Sequence, residues 1–197
     1  GALPGIGGAP NDLTLDDLRA LRRRVPQALR AVPIAMGNET VSNRERRDVY
    51  DHVWSRNGYV QVVDDIDAEH VFPAKGRGNS CFEIVAPYVG DCDYDGAGEL
   101  LGFLYPGLQP PAAEPAAELR EVPLPGADDA DLMNTAYLFV PPACEDGANA
   151  CGLHLVLHGC AQSAEVVGTD FIEQSGYLPW AEANGIVLTF PQVEKSL

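Results

Sequence analysis

Leu153-His154-Leu155-Val156-Leu157 runs straight into His158-Gly159-Cys160-Ala161-Gln162-Ser163. The first five residues are apolar apart from His154 and alternate around it, the mark of a β-strand. Gly159 then punctuates the run, and a turn follows. Beyond it, Phe171 to Asn184 has the spacing of a helix, and Ile186 to Phe190 is a second buried-looking strand that stops at Pro191. Strand, helix and strand in this order predict an α/β fold.

The same alternation extends toward the N-terminus. Residues 1–11 are rich in Gly and Pro and read as a loop. Thr14 with Asp17 begins a helix, carried by Leu15, Leu18, Leu21 and Val25 and ended by Pro26. Val32 to Met36 is a short strand closed by Gly37-Asn38-Glu39, Asn43 to Ser55 is a helix, and Tyr59 to Val63 is a strand followed by an acidic loop reaching His70. Asp95 is placed to cap a helix running to about Tyr105, and Thr135 to Val140 is strand-like. Residues 106–131, dense in Pro, Ala and acidic side chains, read as a surface excursion inside one domain. The 197 residues suffice for a single sizeable core.

Twenty-nine acidic against 13 basic residues leave a net charge of −16, which argues against nucleic acid and anionic membrane as partners. No apolar run approaches the roughly 20 residues of a membrane span. The start, Gly1-Ala2-Leu3-Pro4-Gly5, has neither the basic nor the apolar region of a signal peptide, so either a signal has been removed or the chain begins inside a longer protein. Of five cysteines, Cys81 and Cys92 bracket one short loop and Cys144 and Cys151 another, while Cys160 is left over. No C-x-x-C pair exists to hold zinc. Two loop-closing disulfides and one orphan thiol predict an oxidising, secreted or periplasmic compartment.

Two constellations can carry chemistry. Glu39 and His70 each lie in a loop just past a strand, 31 residues apart with one helix between. Open α/β sheets gather catalytic groups at the carboxyl ends of their strands, and an acid that orients a histidine is half of a Ser-His-acid triad. Spacing alone also fits two ordinary polar loop residues. His158-Gly159-Cys160, directly after a strand, suits an oxyanion loop in which a backbone N–H faces the substrate, and equally suits a plain strand-to-helix turn. Other patterns fall away. Asp91-Cys92-Asp93-Tyr94-Asp95-Gly96 opens like a calcium loop, but its twelfth position is Gly102 where a bidentate Glu is needed, so a helix cap at Asp95 is preferred. Gly76-Arg77-Gly78 and Gly5-Ile6-Gly7-Gly8 lack the rest of a phosphate-binding fingerprint. His52 in a helix and His154 in a strand read as structural. No G-x-S-x-G occurs, and Ser42, Ser55, Ser80, Ser163, Ser175 and Ser196 all lack that setting.

At these residues the chain resembles the poly(3-hydroxybutyrate) depolymerases, especially the secreted, circularly permuted, single-domain type. The resemblance runs from about Val32 to Gln192. It is densest in Leu155 to Ser163, Phe171 to Trp180, Ala181-Glu182-Ala183-Asn184 and Phe190-Pro191-Gln192, with further matches at Glu69-His70-Val71-Phe72-Pro73, Asn79-Ser80-Cys81 and Cys92 to Gly98. It implies an α/β-hydrolase sheet, mostly parallel, here permuted and incomplete. It implies His70 as catalytic histidine, Glu39 at the place of the family's aspartate in a loop about one residue shorter, and the Cys160 amide as an oxyanion donor. It implies disulfides Cys81–Cys92 and Cys144–Cys151, and a partner for Cys160 beyond Leu197. In the permuted order the serine elbow precedes acid and histidine, so the nucleophile is expected upstream of Gly1, on the same polypeptide or a second chain. The implied activity is cofactor-free and metal-free hydrolysis of a polyester or its oligomers through an acyl-enzyme, with this chain alone inactive. A feruloyl or acetylxylan esterase sharing the His-Gly-Cys loop, and a serine-less binding subunit, are the alternatives.

Overall fold

The computed structural model describes residues 34–35, 62–63, 66–125, 127, 132–146 and 149–193. The expected helices from Thr14 and from Asn43 lie outside these, as does Glu39.

Two short strands open the described fold, β1 (Ile34–Ala35) and β2 (Val62–Val63), paired in parallel. Both sit inside strands expected from their apolar runs. A small parallel sheet follows, with β3 (Phe72–Ala74) and β4 (Asn79–Ser80) on either side of β5 (Val89–Asp91). Gly78 is required here: its φ is +84°, and a Cβ would stand 2.3 Å from the Val89 carbonyl oxygen.

Helix α1 (Gly96–Leu104) begins where the sequence places its cap. The Asp95 carboxylate accepts from the Gly98 N–H at 2.8 Å and, through its second oxygen, from the Trp180 indole N–H at 2.8 Å. Gly98 has no side chain because Trp180 lies on it: a Cβ would be 2.7 Å from the indole ring.

The main sheet has the order β6 (Leu119–Pro123), β7 (Leu132–Phe139), β9 (Ile186–Val193), β8 (Gly152–Leu155). β6–β7 and β7–β9 are antiparallel and β8–β9 is parallel, so the described sheets together are mixed. β6 lies inside the stretch 106–131, which therefore contributes an edge strand as well as surface loop. That stretch is tied down: the Glu182 carboxylate accepts from the Ala116 and Ala117 N–H groups, and Asn184 exchanges hydrogen bonds with the Gln109 backbone.

The single helix expected over Phe171 to Asn184 is two, α3 (Asp170–Gln174) and α4 (Tyr177–Asn184), preceded by the short α2 (Ala164–Val167). Gly176 between them has φ +89°, which an α-helix cannot continue through. The core joins β9, β7, α1 and α4 around Phe139, Phe190, Leu188, Leu101 and Val89, all fully buried. Phe171 and Tyr177 belong to it, and Phe72 packs against both, edge-on to Phe171. Both disulfides form, Cys81–Cys92 and Cys144–Cys151, and Cys160 is free and exposed.

Candidate active site

His70 is the exposed centre of a three-residue turn in which the Val71 N–H reaches back to the Glu69 carbonyl at 2.7 Å. The turn is held from both sides. The Glu69 N–H donates to the Cys81 carbonyl at 3.0 Å, and the Phe72 N–H donates to the Tyr88 carbonyl at 2.8 Å. Both acceptors belong to the loop that the Cys81–Cys92 disulfide closes. The position of Glu39 lies outside the described residues.

The loop after β8 is a β-turn, closed by the Gln162 N–H on the Gly159 carbonyl at 3.3 Å. Ala161 sits at φ +58°, the left-handed conformation a type II turn needs at that position. Cys160 occupies the corner, and its N–H is committed to no backbone carbonyl among the described residues. The side chain of Gln162 is buried and uses every polar atom. Its Oε1 accepts from the Gly159 N–H at 2.9 Å, and its Nε2 donates to the Pro87 and Tyr88 carbonyls, each at 3.0 Å. Pro87 and Tyr88 are in the same disulfide-closed loop that holds His70. The two candidate elements, distant in sequence, are thus fastened to one frame.

A second fastening joins the turn to the end of β9. The Val193 N–H donates to His158 Nε2 at 3.3 Å, which leaves Nδ1 as the donor to the Gly159 carbonyl at 2.9 Å. Gln192 accepts from the Ala164 N–H at 2.7 Å and donates to the Phe190 and Pro191 carbonyls. Sequence reasoning assigned no role to Gln162 or Gln192. Nothing in the residue type marks a glutamine as a staple; only the stretches in which they fall attract attention.

His154 is structural, as expected from its place in a strand. Its ring packs on Tyr105 and Tyr177, Nδ1 lies 3.3 Å from the Tyr105 hydroxyl, and burial lowers its pKa. Burial raises the phenols of Tyr177 and Tyr105. The calcium-like stretch is spoken for. Asp91 accepts from the Gly76 N–H, Asp93 pairs with Lys75, and Asp95 caps α1. Among the described residues no three His, Cys, Asp or Glu side chains gather to hold a metal.

The serines near the turn are not presented as nucleophiles. Ser163 is 3% exposed and Ser175 is 1% exposed, with its hydroxyl turned to the Ile172 carbonyl. Ser80 accepts from the Phe82 N–H across its own turn.

No family model matches the chain. A polyhydroxybutyrate depolymerase of Talaromyces funiculosus is 37% identical over 138 residues, 68% of this chain and 41% of the relative. A poly(3-hydroxybutyrate) depolymerase of Delftia acidovorans is 37% identical over 132 residues, 65% of this chain and 27% of the relative. The chain belongs to the poly(3-hydroxybutyrate) depolymerase family. It spans less than half the length of these two relatives. Among solved structures, a PHB depolymerase from Penicillium funiculosum superposes with a TM-score of 0.75 at 30% identity, over 82% of this chain and 54% of that one. A serine-to-alanine PHB depolymerase complexed with an R3HB trimer superposes with a TM-score of 0.73 at 28% identity, over 91% and 62%. The chain has the α/β-hydrolase fold of these neighbours. Among its described residues no helix is long and apolar enough to cross a membrane.

Proposed function

We propose that residues 1–197 form a partial, circularly permuted catalytic domain of a secreted serine esterase, one that hydrolyses poly(3-hydroxybutyrate)-type polyesters or their oligomers. The nucleophilic serine comes from outside this chain, on an upstream segment or a second chain. The observation that carries this reading is the common frame: the His70 turn and the Gly159–Gln162 turn are both bonded to the loop closed by Cys81–Cys92. A histidine, held to the same frame as a loop amide that donates to no backbone carbonyl among the described residues, supplies parts of a hydrolase that a serine completes.

In the completed site the serine oxygen attacks the ester carbonyl while His70 takes its proton. The Cys160 N–H and a donor beside the serine hold the oxyanion, and His70 returns the proton to the leaving alcohol. Glu39 holds His70 in the productive tautomer. Water then releases the acyl group by the same route. The substrate class follows from the relatives, one of which is complexed with an R3HB trimer. The two disulfides support an oxidising compartment.

The test is turnover of p-nitrophenyl butyrate and of polyester film, with a covalent serine inhibitor as label. The 197-residue chain alone is expected to turn over no faster than its His70→Ala variant. Supplying the serine-bearing segment restores turnover, takes the label on that segment, and is abolished by His70→Ala. Labelling of Ser163 or Ser175 on the isolated chain would place the nucleophile here and overturn the reading. Preference for feruloyl esters over film would move the substrate to the related esterase group. A chain that binds oligomer and never hydrolyses it, whatever is supplied, is a binding subunit.

A further inference from the structure

One carbonyl oxygen receives a donor from each of the two candidate elements. Tyr88 accepts from the Phe72 N–H at 2.8 Å, two residues past His70, and from Gln162 Nε2 at 3.0 Å. Its backbone is turned to do so. Tyr88 has φ +59°, a left-handed conformation that a residue other than glycine adopts at a cost and keeps only where its surroundings fix it. Here they do: the Tyr88 N–H donates to the Val85 carbonyl at 2.8 Å, and Asn79 Nδ2 donates to the Ala86 carbonyl at 2.9 Å. At its other end the Gln162 amide holds the turn. Its Oε1 accepts from the Gly159 N–H at 2.9 Å, and a Cβ on Gly159 would stand 2.8 Å from that oxygen, so only glycine leaves the amide where it is. The path from the Cys160 N–H to the His70 turn thus runs through one planar amide and one carbonyl.

We propose that Gln162 is a positioning residue for ester hydrolysis: by tying the 159–162 turn to the Tyr88 carbonyl it fixes where the Cys160 N–H stands relative to His70, a role that rests on the serine-esterase reading of those two groups. In that reaction the proton acceptor and the oxyanion donor serve the same carbonyl group, and both must be aligned as the tetrahedral intermediate forms. The negative charge on the oxygen develops only after binding, so a displaced N–H lowers the rate and leaves binding of the ester as it was. A donor lost outright lowers kcat by roughly 10²–10³, and a displacement of about 1 Å by about 10². Gln162 is buried, so it acts through the turn and not on the substrate.

The experiment uses this chain completed by its serine-bearing segment, with active sites counted by a covalent serine inhibitor so that only folded enzyme enters kcat. Gln162→Leu deletes every bond of the amide. Gln162→Glu keeps the acceptor for the Gly159 N–H and deletes both donors, so it separates closure of the turn from its tie to Tyr88. Both are expected to lower kcat for p-nitrophenyl butyrate by about 100-fold, with KM within about twofold of the parent. Both should weaken inhibition by an alkylboronic acid, whose tetrahedral serine adduct places an oxygen at the oxyanion position, by the same factor as kcat. Parent kcat per titrated site in both variants shows a role in stability alone and overturns the proposal, while the esterase reading stands. A defect confined to Gln162→Leu places the effect in the turn's own closure and overturns it too. So does a rise in KM at constant kcat, which makes Gln162 a binding determinant, and so does the absence of titratable enzyme in both variants, which makes it a folding residue. No turnover by the parent in any completed form removes the esterase reading, and the proposal falls with it.

Discussion

Replacing Gln162 by leucine tests whether one buried side chain holds the candidate oxyanion turn in place. The change keeps nearly the same volume and deletes three hydrogen bonds: from the Gly159 N–H at 2.9 Å, and to the Pro87 and Tyr88 carbonyls at 3.0 Å. At about 1 kcal/mol net per bond the loss is about 3 kcal/mol, and the buried Pro87 carbonyl, left without a donor, holds it near that value despite the added apolar surface. With a urea slope of about 2 kcal/mol/M, the midpoint falls by about 1.5 M. Equilibrium unfolding followed by tryptophan fluorescence reads this directly. Gln162→Glu sharpens the test. Its carboxylate can still accept from Gly159 but faces two carbonyls where a donor stood, so its folded pKa is raised above the ordinary value near 4.3. Its penalty is absent below that value, grows as pH rises through the folded pKa, and is full at neutral pH, where Gln162→Glu should be less stable than Gln162→Leu. A leucine variant within about 0.5 kcal/mol of the parent would refute the staple, because exposed polar contacts cost no more than that. So would a glutamate variant whose stability tracks the leucine variant at every pH.

Asp95→Ala removes the cap of α1 and orphans the Trp180 indole N–H, an expected loss of about 3 kcal/mol, with Asp95→Asn losing roughly half because its amide can serve only one of the two donors. Calorimetry of the two variants checks the ratio. Thiol titration under denaturing, non-reducing conditions should find one thiol, on Cys160, and reduction should cost about 3 kcal/mol per bridge from loop closure alone. Burial lowers the His154 pKa below its ordinary 6.5, so the unfolded chain binds the proton first and stability falls as pH drops below 6.5. Denaturant midpoints at pH 7 and 5 should converge in His154→Phe relative to the parent.

The residue patterns determined much of this molecule. Alternation around His154, the cap at Asp95 and the apolar run before Pro191 are patterns legible within a few residues, and each produced the kind of element expected, although β9 continues through Pro191 to Val193. Short cysteine loops likewise declare their pairing, because the chain between them can hardly keep them apart. Local rules fail at Gly176, whose left-handed backbone splits one expected helix in two, and at Leu119–Pro123, whose pairing partner β7 makes a strand of a stretch dominated by Pro, Ala and acidic residues. Both outcomes depend on what packs alongside. The joining of the His70 turn to the Gly159–Gln162 turn was beyond any window of sequence. It rests on one glutamine reaching two carbonyls 74 and 75 residues away, and hydrogen bonds of that span exist only once the sheet has brought their ends together.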